Sequence, residues 1–462
     1  MLPILPVPWA LSKLPVIAGA PTGLVAVTPP CEFSDLFPQR GRNSGVVFEA
    51  KKGEVLWVET TSERWGFPVD PIAVIQRAKS SDAAPESRDW VDVLELGDTE
   101  QNLGDREFPT ANRDAAARWE VPENGRYRIL VRDGFRRGDT IPRYPYRLSL
   151  RRESPDFHLV AFPMPPARAG EDRAIPVMPA VIRRGQTAAF RVVVFRRDGF
   201  QGDIELGAEG LPAGVRAAST RILSGQNTGV LLLTADAEAS GAGPLRVVGR
   251  SGAGSGNRSR TASHASVVWQ VPDFNNENPT VRRSRGASLG VVSQEWVPVT
   301  IRVGTASASA DGAAWKLPLQ IERRGEFQGA FNLKVGGHPA FEKAKEISVP
   351  EKATNLVAEV SMGEARLPAG NHVLWLQGGV AGKYRQAVEA LTAAEADLKA
   401  AEAALASAKA SDKAAAEARK KEAEARRKAA DDKAKPRDIT VPLWSEPFTV
   451  TVAATVAKEA RP

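Results

Sequence analysis

The feature that most constrains this chain is a long internal repeat in constant register. The stretch Arg196–Leu206 recurs 127 residues later as Arg323–Leu333. Further matches at the same offset are Gly210–Ala213 with Gly337–Ala340, Val230 with Val357, and Gly243 with Gly370. This register predicts two copies of one domain of about 120 residues, a size typical of an immunoglobulin-like (Ig-like) sandwich.

Alternation of apolar and polar residues predicts short β-strands throughout most of the chain. It is clear in Val55–Thr60, Arg126–Arg132 and Tyr146–Arg151, each close to turn residues such as Asn124-Gly125. We therefore predict an all-β protein of three sandwiches in tandem, the first jelly-roll-like and the other two Ig-like. The predicted divisions are an apolar, Pro-rich segment at 1–33, then sandwiches at 34–153, 154–276 and 277–462.

The repeated Arg-Arg-x-x-Phe-Gln-Gly stretch has two interpretations. It is either a binding loop or a turn that the sandwich itself requires. Glycine relieves the strain of a positive φ, and the residues that follow alternate as a strand. The turn is therefore the favoured interpretation.

An alanine-rich insertion at 380–436 interrupts the last sandwich. Residues 383–435 contain neither Gly nor Pro, and Tyr384, Leu391, Leu398 and Leu405 recur every seven residues. A companion row of alanines begins at Ala387, so the two rows predict a helical seam. Because the flanking segments match neighbouring strands of the first copy, the insertion must return to its start. We predict an antiparallel helical hairpin with a bend at 410–412, where Ser411 and Asp412 favour a new helix N-terminus.

The hairpin also has two interpretations. It is a protruding arm for self-association or for contact with an envelope component, or it is a solvated spacer. The alanine and charged residues of its second half favour the spacer.

The first residues are apolar, with prolines interrupting every run long enough for a signal peptide. They are interpreted as a degraded export signal, the remnant of a longer N-terminal region, or a disordered tail. No run of about 18 apolar residues occurs, so no transmembrane helix is predicted.

Charge and cysteine content narrow the function classes. The net charge of +7 comes from scattered arginine pairs without any nucleic-acid-binding motif, so we predict no nucleic-acid partner. The single cysteine, Cys31, excludes an internal disulfide, and four scattered histidines offer no helical metal motif.

Several ordered motifs of the first sandwich resemble one known family. Phe48–Val55, Gly66–Pro71, Pro122–Asp133 and Tyr146–Leu148 resemble the bacterial pre-peptidase C-terminal domain. In large secreted proteins of this kind, Ig-like modules follow, some with an alanine-rich helical insertion. The resemblance implies an accessory β-sandwich of exported proteins, often joined to proteases or other hydrolases.

The resemblance also bears on calcium, since some relatives carry an acidic residue in the first strand that helps to hold this ion. Here the corresponding stretch, Arg42–Gly45, has no carboxylate, and Asp70 alone supplies too few oxygen ligands. We predict no cofactor, and a calcium site is not favoured.

No sequence motif for a nucleophile, a metal or a phosphate is present, so we predict a non-enzyme. The weak binding candidates are Trp65 with its neighbour Arg64, and Asp70. Trp65 either stacks on a sugar or peptide or packs over the edge of its own sandwich.

The expected function is a structural, adhesive or interaction role of an exported protein at the cell envelope, secreted, periplasmic or on the cell surface. The alternative is a carbohydrate- or peptide-binding accessory module of a secreted hydrolase. A hydrolase whose residues converge only on folding is a third, weaker alternative. The expected partners are a protein or a polysaccharide of the envelope.

Overall fold

The computed structural model describes residues 14–19, 23–39, 41–102, 110–135, 143–164, 180–252, 257–269, 280–284, 286–308, 314–361, 367–385 and 388–452. They form β-sandwiches with one helical hairpin near the C-terminus, as the alternation and the heptad pattern predict. The chain divides into two compact units, the first ending at Ser293 and the second beginning at Gln294, except that Arg183–Thr187 belongs to the second.

The first sandwich has two five-stranded sheets, ordered β1-β3-β10-β5-β8 and β2-β4-β9-β6-β7. Its strands are β1 Val16–Ala18, β2 Val25–Ala26, β3 Cys31–Leu36, β4 Gly45–Ala50, β5 Val55–Thr61, β6 Pro71–Ala78, β7 Trp90–Leu96, β8 Ala116–Glu120, β9 Gly125–Asp133 and β10 Pro145–Arg152. Alternate side chains of both sheets, such as Phe33, Leu56 and Ile129, are fully buried between them. The predicted boundary at residue 33 falls inside β3, because Cys31 pairs with Leu150 and is itself part of this core.

The second sandwich has sheets ordered β15-β17-β13-β11-β20-β21 and β12-β22-β18-β14-β16, with β19 beside β18. Its strands are β11 Asp156–Pro163, β12 Ala180–Arg184, β13 Thr187–Arg197, β14 Ile204–Glu209, β15 Val215–Ala217, β16 Thr220–Ile222, β17 Thr228–Ala235, β18 Ala242–Arg250, β19 Ser259–Thr261, β20 Ser263–Trp269, β21 Thr280–Ser284 and β22 Ala287–Trp296. The predicted boundary at 276/277 is therefore wrong. Strand β21 pairs with β20, and β22 pairs with β18, so both complete this sandwich.

The third sandwich has sheets β23-β25-β24, with β28 beside β25, and β27-β26-β29-β30, with β31 beside β29. Its strands are β23 Val299–Val303, β24 Ser307–Ala308, β25 Ala314–Arg323, β26 Phe331–Gly336, β27 Ile347–Val349, β28 Asn355–Ser361, β29 Gly370–Tyr384, β30 Arg437–Trp444 and β31 Phe448–Val452. Strands β26 and β27 lie 127 residues after β14 and β16 with the same bounds, and Ile204↔Ile222 corresponds to Phe331↔Val349. The repeat is therefore structural.

The first arginine of the repeated motif fixes a turn in both copies. The guanidinium of Arg196 donates to three backbone carbonyls. That of Arg323 donates to the three carbonyls found 127 residues later and also to the carbonyl of Phe327, at 3.0 Å. The acceptors are Gly202, Leu223 and Gln226 for Arg196, and Gly329, Pro350 and Ala353 for Arg323, at 2.8–3.2 Å. This duplicated contact supports the turn interpretation over a binding loop.

The insertion folds as two antiparallel helices, α1 Val388–Ser407 and α2 Lys413–Ala434. Ala394 and Ala401 of α1 are buried against α2, and the leucines of the heptad row are half-buried. The bend lies between Ser407 and Lys413, as predicted, although Asp412 makes no capping bond through its side chain. No helix in the described part of the chain is long and apolar enough to cross a membrane.

The hairpin leaves and re-enters the third sandwich at adjacent points, because Tyr384 lies opposite Arg437 in the β29–β30 pair. Tyr384 thus ends a strand rather than starting a helix, and Ala387 is outside the described residues. The returning strand is β30, whereas the predicted one, Phe448–Val452, pairs with the earlier half of β29.

Candidate functional site

Arg64 and Trp65 lie in a single 3-10 turn, Glu63–Trp65, that one carboxylate holds in place. Asp114, fully buried, accepts hydrogen bonds from the backbone N–H groups of Ser62, Glu63 and Arg64 at 2.8, 2.9 and 3.1 Å. It also accepts one from Nε of Arg64 at 2.7 Å. A carboxylate that binds three successive N–H groups satisfies donors that the turn itself leaves unpaired.

The guanidinium of Arg64 donates its hydrogen bonds to acceptors within its own sandwich. Besides Asp114, it donates to Oε1 of Glu59 at 2.8 Å and to the carbonyl of Thr60 at 2.6 Å. Burial raises the pKa of the Glu59 carboxyl, but Arg64, Arg151 and Arg197 outweigh it, so this pKa lies below its ordinary value of 4.5. Arg64, a predicted binding residue, is therefore a buried positioning group.

Arg64 and Glu59 line a polar cleft of about 170 Å³ within the first compact unit, where the first two sandwiches meet. A buried ion pair joins the first sandwich to the second, between Nη1 of Arg151 in β10 and Asp198 after β13. The same aspartate oxygen accepts from the backbone N–H of Ser154 at 2.8 Å. The guanidinium of Arg151 also lies 5.3 Å from the ring centroid of Trp57. Because both partners are buried, this pair fixes how the two sandwiches contact each other.

The remaining wall of the cleft carries two charged residues, Arg196 and Arg197, and two apolar ones, Ala116 and Phe195. Burial and Arg151 lower the pKa of Arg197. Hydroxyl and amide side chains there come from Thr99, Gln101, Thr110 and Asn112. Such groups donate and accept hydrogen bonds but do not exchange protons near neutral pH. These side chains can hold a polar ligand by hydrogen bonds.

Trp65 does not line the cleft. Its ring is half-buried, and the guanidinium of Arg147, which pairs with Glu32 at 3.2 Å, lies 5.5 Å from its centroid. One partner of Trp65 is therefore a side chain of its own sandwich, in keeping with the edge-packing interpretation.

Asp70 lies apart from both, among other carboxylates. Its pKa is raised by burial and by Asp98, which also hydrogen-bonds to it, and by Asp133. A Cβ at position 134 would lie 2.4 Å from Oδ2 of Asp70, so a larger residue than Gly134 would displace this carboxylate. In the described residues no group of three or more His, Cys, Asp or Glu side chains is arranged to hold a metal ion.

Sequence reasoning missed the residues that build the cleft. Asp198 is the clearest case, because it occupies a left-handed backbone conformation (φ 55°) where the second copy has Gly325 (φ 59°). A non-glycine residue at such a position is uncommon and often marks a local constraint, so this mismatch within the repeat was a usable signal.

The fold also pairs two histidines that are far apart in sequence. The rings of His338 and His372 lie 5.3 Å apart, centroid to centroid. Nδ1 of His338 accepts from the N–H of Ala340 at 3.1 Å, and Nε2 of His372 lies 2.7 Å from the carbonyl of Pro368. Both rings thereby stabilise local turns.

Comparison with known proteins gives no family. No family model matches this chain, and no curated protein matches it. Among solved structures, the pre-peptidase C-terminal domain of a collagenase from Bacillus anthracis is similar at 9% identity, covering 29% of this chain and 98% of its own, with a TM-score of 0.20. A surface-associated copper-binding protein important for copper acquisition in Methylomicrobium album BG8 is similar at 8% identity, covering 29% and 100%, with a TM-score of 0.19. Similarity at this level assigns neither family nor function.

Proposed function

We propose that this is a non-catalytic, exported protein of tandem β-sandwiches, the repeated ones Ig-like, with a structural, adhesive or interaction role at a bacterial envelope. The observation that supports it is the pairing of charges in the cleft. Glu59 and Asp198 each face an arginine, and the lowered pKa of Glu59 keeps that carboxyl ionised at neutral pH. Charged groups committed to one another favour a framework over a reactive site.

Turnover assays with the purified full-length chain test the non-catalytic part. Envelope polysaccharides and peptides are offered, and both retention on the polymer and release of soluble products are measured. We expect retention without product. Sustained product release that survives repurification would overturn the proposal.

Export is tested separately by fractionating cells that express the gene from its own locus. We expect the protein outside the cytoplasmic membrane, in the periplasm, on the surface or in the medium. Recovery only with cytoplasmic markers would contradict export while leaving the non-catalytic proposal intact.

A second candidate is a carbohydrate- or peptide-binding accessory module of a secreted hydrolase, favoured by the open cleft beside Trp57 and Arg151. Ligand binding there would change the fluorescence of Trp57. Titration of the full chain with oligosaccharides and peptides should give a change that Trp57→Phe removes and Trp296→Phe retains. A response that Trp57→Phe leaves unaltered would place the ligand elsewhere.

Self-association through the hairpin is a further part of the proposal. Helix α1 carries four acidic residues and one basic residue, whereas α2 carries five acidic and eight basic residues. Two copies could therefore pair α1 with α2 of the other copy by charge. Light scattering over a concentration series tests this pairing. A monomer at about 100 μM, a concentration well above the dissociation constants of stable dimers, would exclude it.

A further inference from the structure

The outer face of the third sandwich carries a row of polar side chains across three neighbouring strands. Arg302 of β23 lies opposite Gln320 of β25, and Gln320 lies opposite Asn355 of β28. Directly opposed residues project from the same face of a sheet, and all three side chains are exposed. They line a groove of about 330 Å³, within the range of small-ligand sites.

Two polar side chains of this groove lack internal partners, although others, such as Arg323 and Lys352, have them. Within the described part of the chain, the Arg302 guanidinium has no ion-pair partner and the Gln320 amide makes no hydrogen bond. The carboxylate of Glu322 pairs with Arg324 at 2.7 Å and so does not neutralise Arg302. The groove therefore offers the positive charge of Arg302, without an internal partner, and the unused donor and acceptor of the Gln320 amide.

The first copy of the repeat supplies an internal comparison for this face. The N–H of Val194 donates to Asn227 at 2.8 Å, and the N–H of Ile321 donates to Thr354 at 2.7 Å, so the two sheets share one register. In the first copy, Val160 pairs with Val193 where Arg302 pairs with Gln320 in the second.

Burial on this face differs completely between the copies. Val160 and Val193 are fully buried and Phe195, which takes the place of Glu322, is 7% exposed. One architecture thus carries an apolar, covered face in the first copy and a polar, exposed face in the second. The sheet face is therefore open to a ligand in the second copy but not in the first.

The next row of the same face is apolar. Pro318 lies opposite Val357, which is 61% exposed, one of the most exposed large apolar side chains described. A sugar ring presents hydroxyls at its edge and C–H groups on its face, so a polar row beside an apolar step matches it. A peptide strand is less suited, because it would pair along an outer strand of this sheet, β23 or β28, and would not lie across the face over β25.

We propose that this groove binds an acidic oligosaccharide. Arg302 pairs with a sugar carboxylate, since guanidinium groups match that geometry. Gln320 and Asn355 bind hydroxyls, and the Pro318–Val357 step lies under a ring. This inference rests on the interaction role proposed above and names a ligand class for it.

The experiment titrates the full chain with uronate-containing oligosaccharides and with neutral oligosaccharides of equal length, by calorimetry at low salt. The test variants are Arg302→Gln and Gln320→Ala, both at exposed positions. Arg221→Gln, an exposed arginine of the first copy, removes the same charge elsewhere. Circular dichroism and thermal unfolding confirm that each variant is folded.

We expect binding of the acidic ligands only, weakened about tenfold to a hundredfold by Arg302→Gln, as for loss of a hydrogen-bonded charge. Gln320→Ala should weaken it less, and Arg221→Gln hardly at all. No binding of any acidic saccharide, or equal loss in Arg302→Gln and Arg221→Gln, overturns the site. Tighter binding of a poly-glutamate peptide overturns the saccharide assignment. Cleavage of a bound saccharide would refute the non-catalytic function but not this site.

Discussion

Replacing Arg196 or Arg323 with methionine tests the duplicated turn contact in two settings. Methionine preserves an unbranched apolar chain beside Phe200 or Phe331 but removes every hydrogen bond of the guanidinium to the turn, three for Arg196 and four for Arg323. At about 1 kcal/mol for each bond, Arg196→Met should cost about 3 kcal/mol, because its three acceptors are partly buried. Two of the acceptors of Arg323 are exposed and regain water, so Arg323→Met should cost about 2 kcal/mol.

Hydrogen exchange of the full chain, followed by mass spectrometry, separates the two copies. Buried amides of β13 report on the first copy and those of β25 on the second, and 2–3 kcal/mol corresponds to about 30- to 150-fold faster exchange. Each variant should affect only its own copy. Arg196→Lys is the informative control, because a lysine retains the charge but cannot reach three diverging carbonyls. Wild-type protection in Arg196→Lys, or equal loss in Arg221→Met, would refute the reasoning.

Three further predictions concern burial, pH and the insertion. Asp114→Asn should lower the free energy of unfolding, measured by urea titration, by about 3–5 kcal/mol, because it leaves the buried Arg64 without its charged partner. Glu95→Gln, at an exposed ion pair, should lower it by less than about 1 kcal/mol. Similar losses in the two variants would contradict this prediction. Burial lowers the pKa of His158 from 6.5 to about 4. The stability that the neutral ring contributes above pH 6.5 should therefore be lost as the pH falls from 6.5 to about 4. A His158 ring resonance that titrates near pH 6.5 by NMR would disprove the lowered pKa. Replacing residues 385–436 with Asn-Gly should remove the helical circular dichroism signal. The unfolding temperature should stay within a few degrees of the wild-type value, because the joined ends, Tyr384 and Arg437, already face each other. Loss of the β-sheet signal would show instead that the hairpin supports the sandwich.

Local patterns in the sequence were sufficient to predict the elements. The alternation in residues 126–132 and the heptad spacing of Leu391 and Leu398 are each set by which face is buried, so they indicate strand and helix directly. That the insertion returns to its start followed from the repeat. The late strands of the second sandwich could not be predicted in this way, because pairing between β18 and β22 depends on contacts across about 45 residues that leave no periodic mark.

The candidate site was less predictable for a physical reason. Arg64 was singled out for its place beside Trp65, but whether a guanidinium meets a ligand or an internal carboxylate depends on what the fold brings to it. Here Asp114, 50 residues away, accepts a hydrogen bond from Nε of Arg64 and so holds the guanidinium inside the sandwich. Likewise nothing in the composition distinguishes Arg151, which is buried against Asp198, from Arg152 at the next position, which is exposed.

The differences between the two copies of the repeat follow one direction. At the turn after the Arg-Arg pair, the first copy has Asp198, which forms a buried ion pair with the preceding sandwich, and the second has Gly325, which has no side chain to do so. On the sheet face, the first copy is apolar and buried where the second is polar and exposed. Two separate surfaces of the first copy are thus buried, and the corresponding surfaces of the second are exposed. Such paired changes are expected if, after a duplication, the first copy kept contacts within the chain and the second became available to bind other molecules.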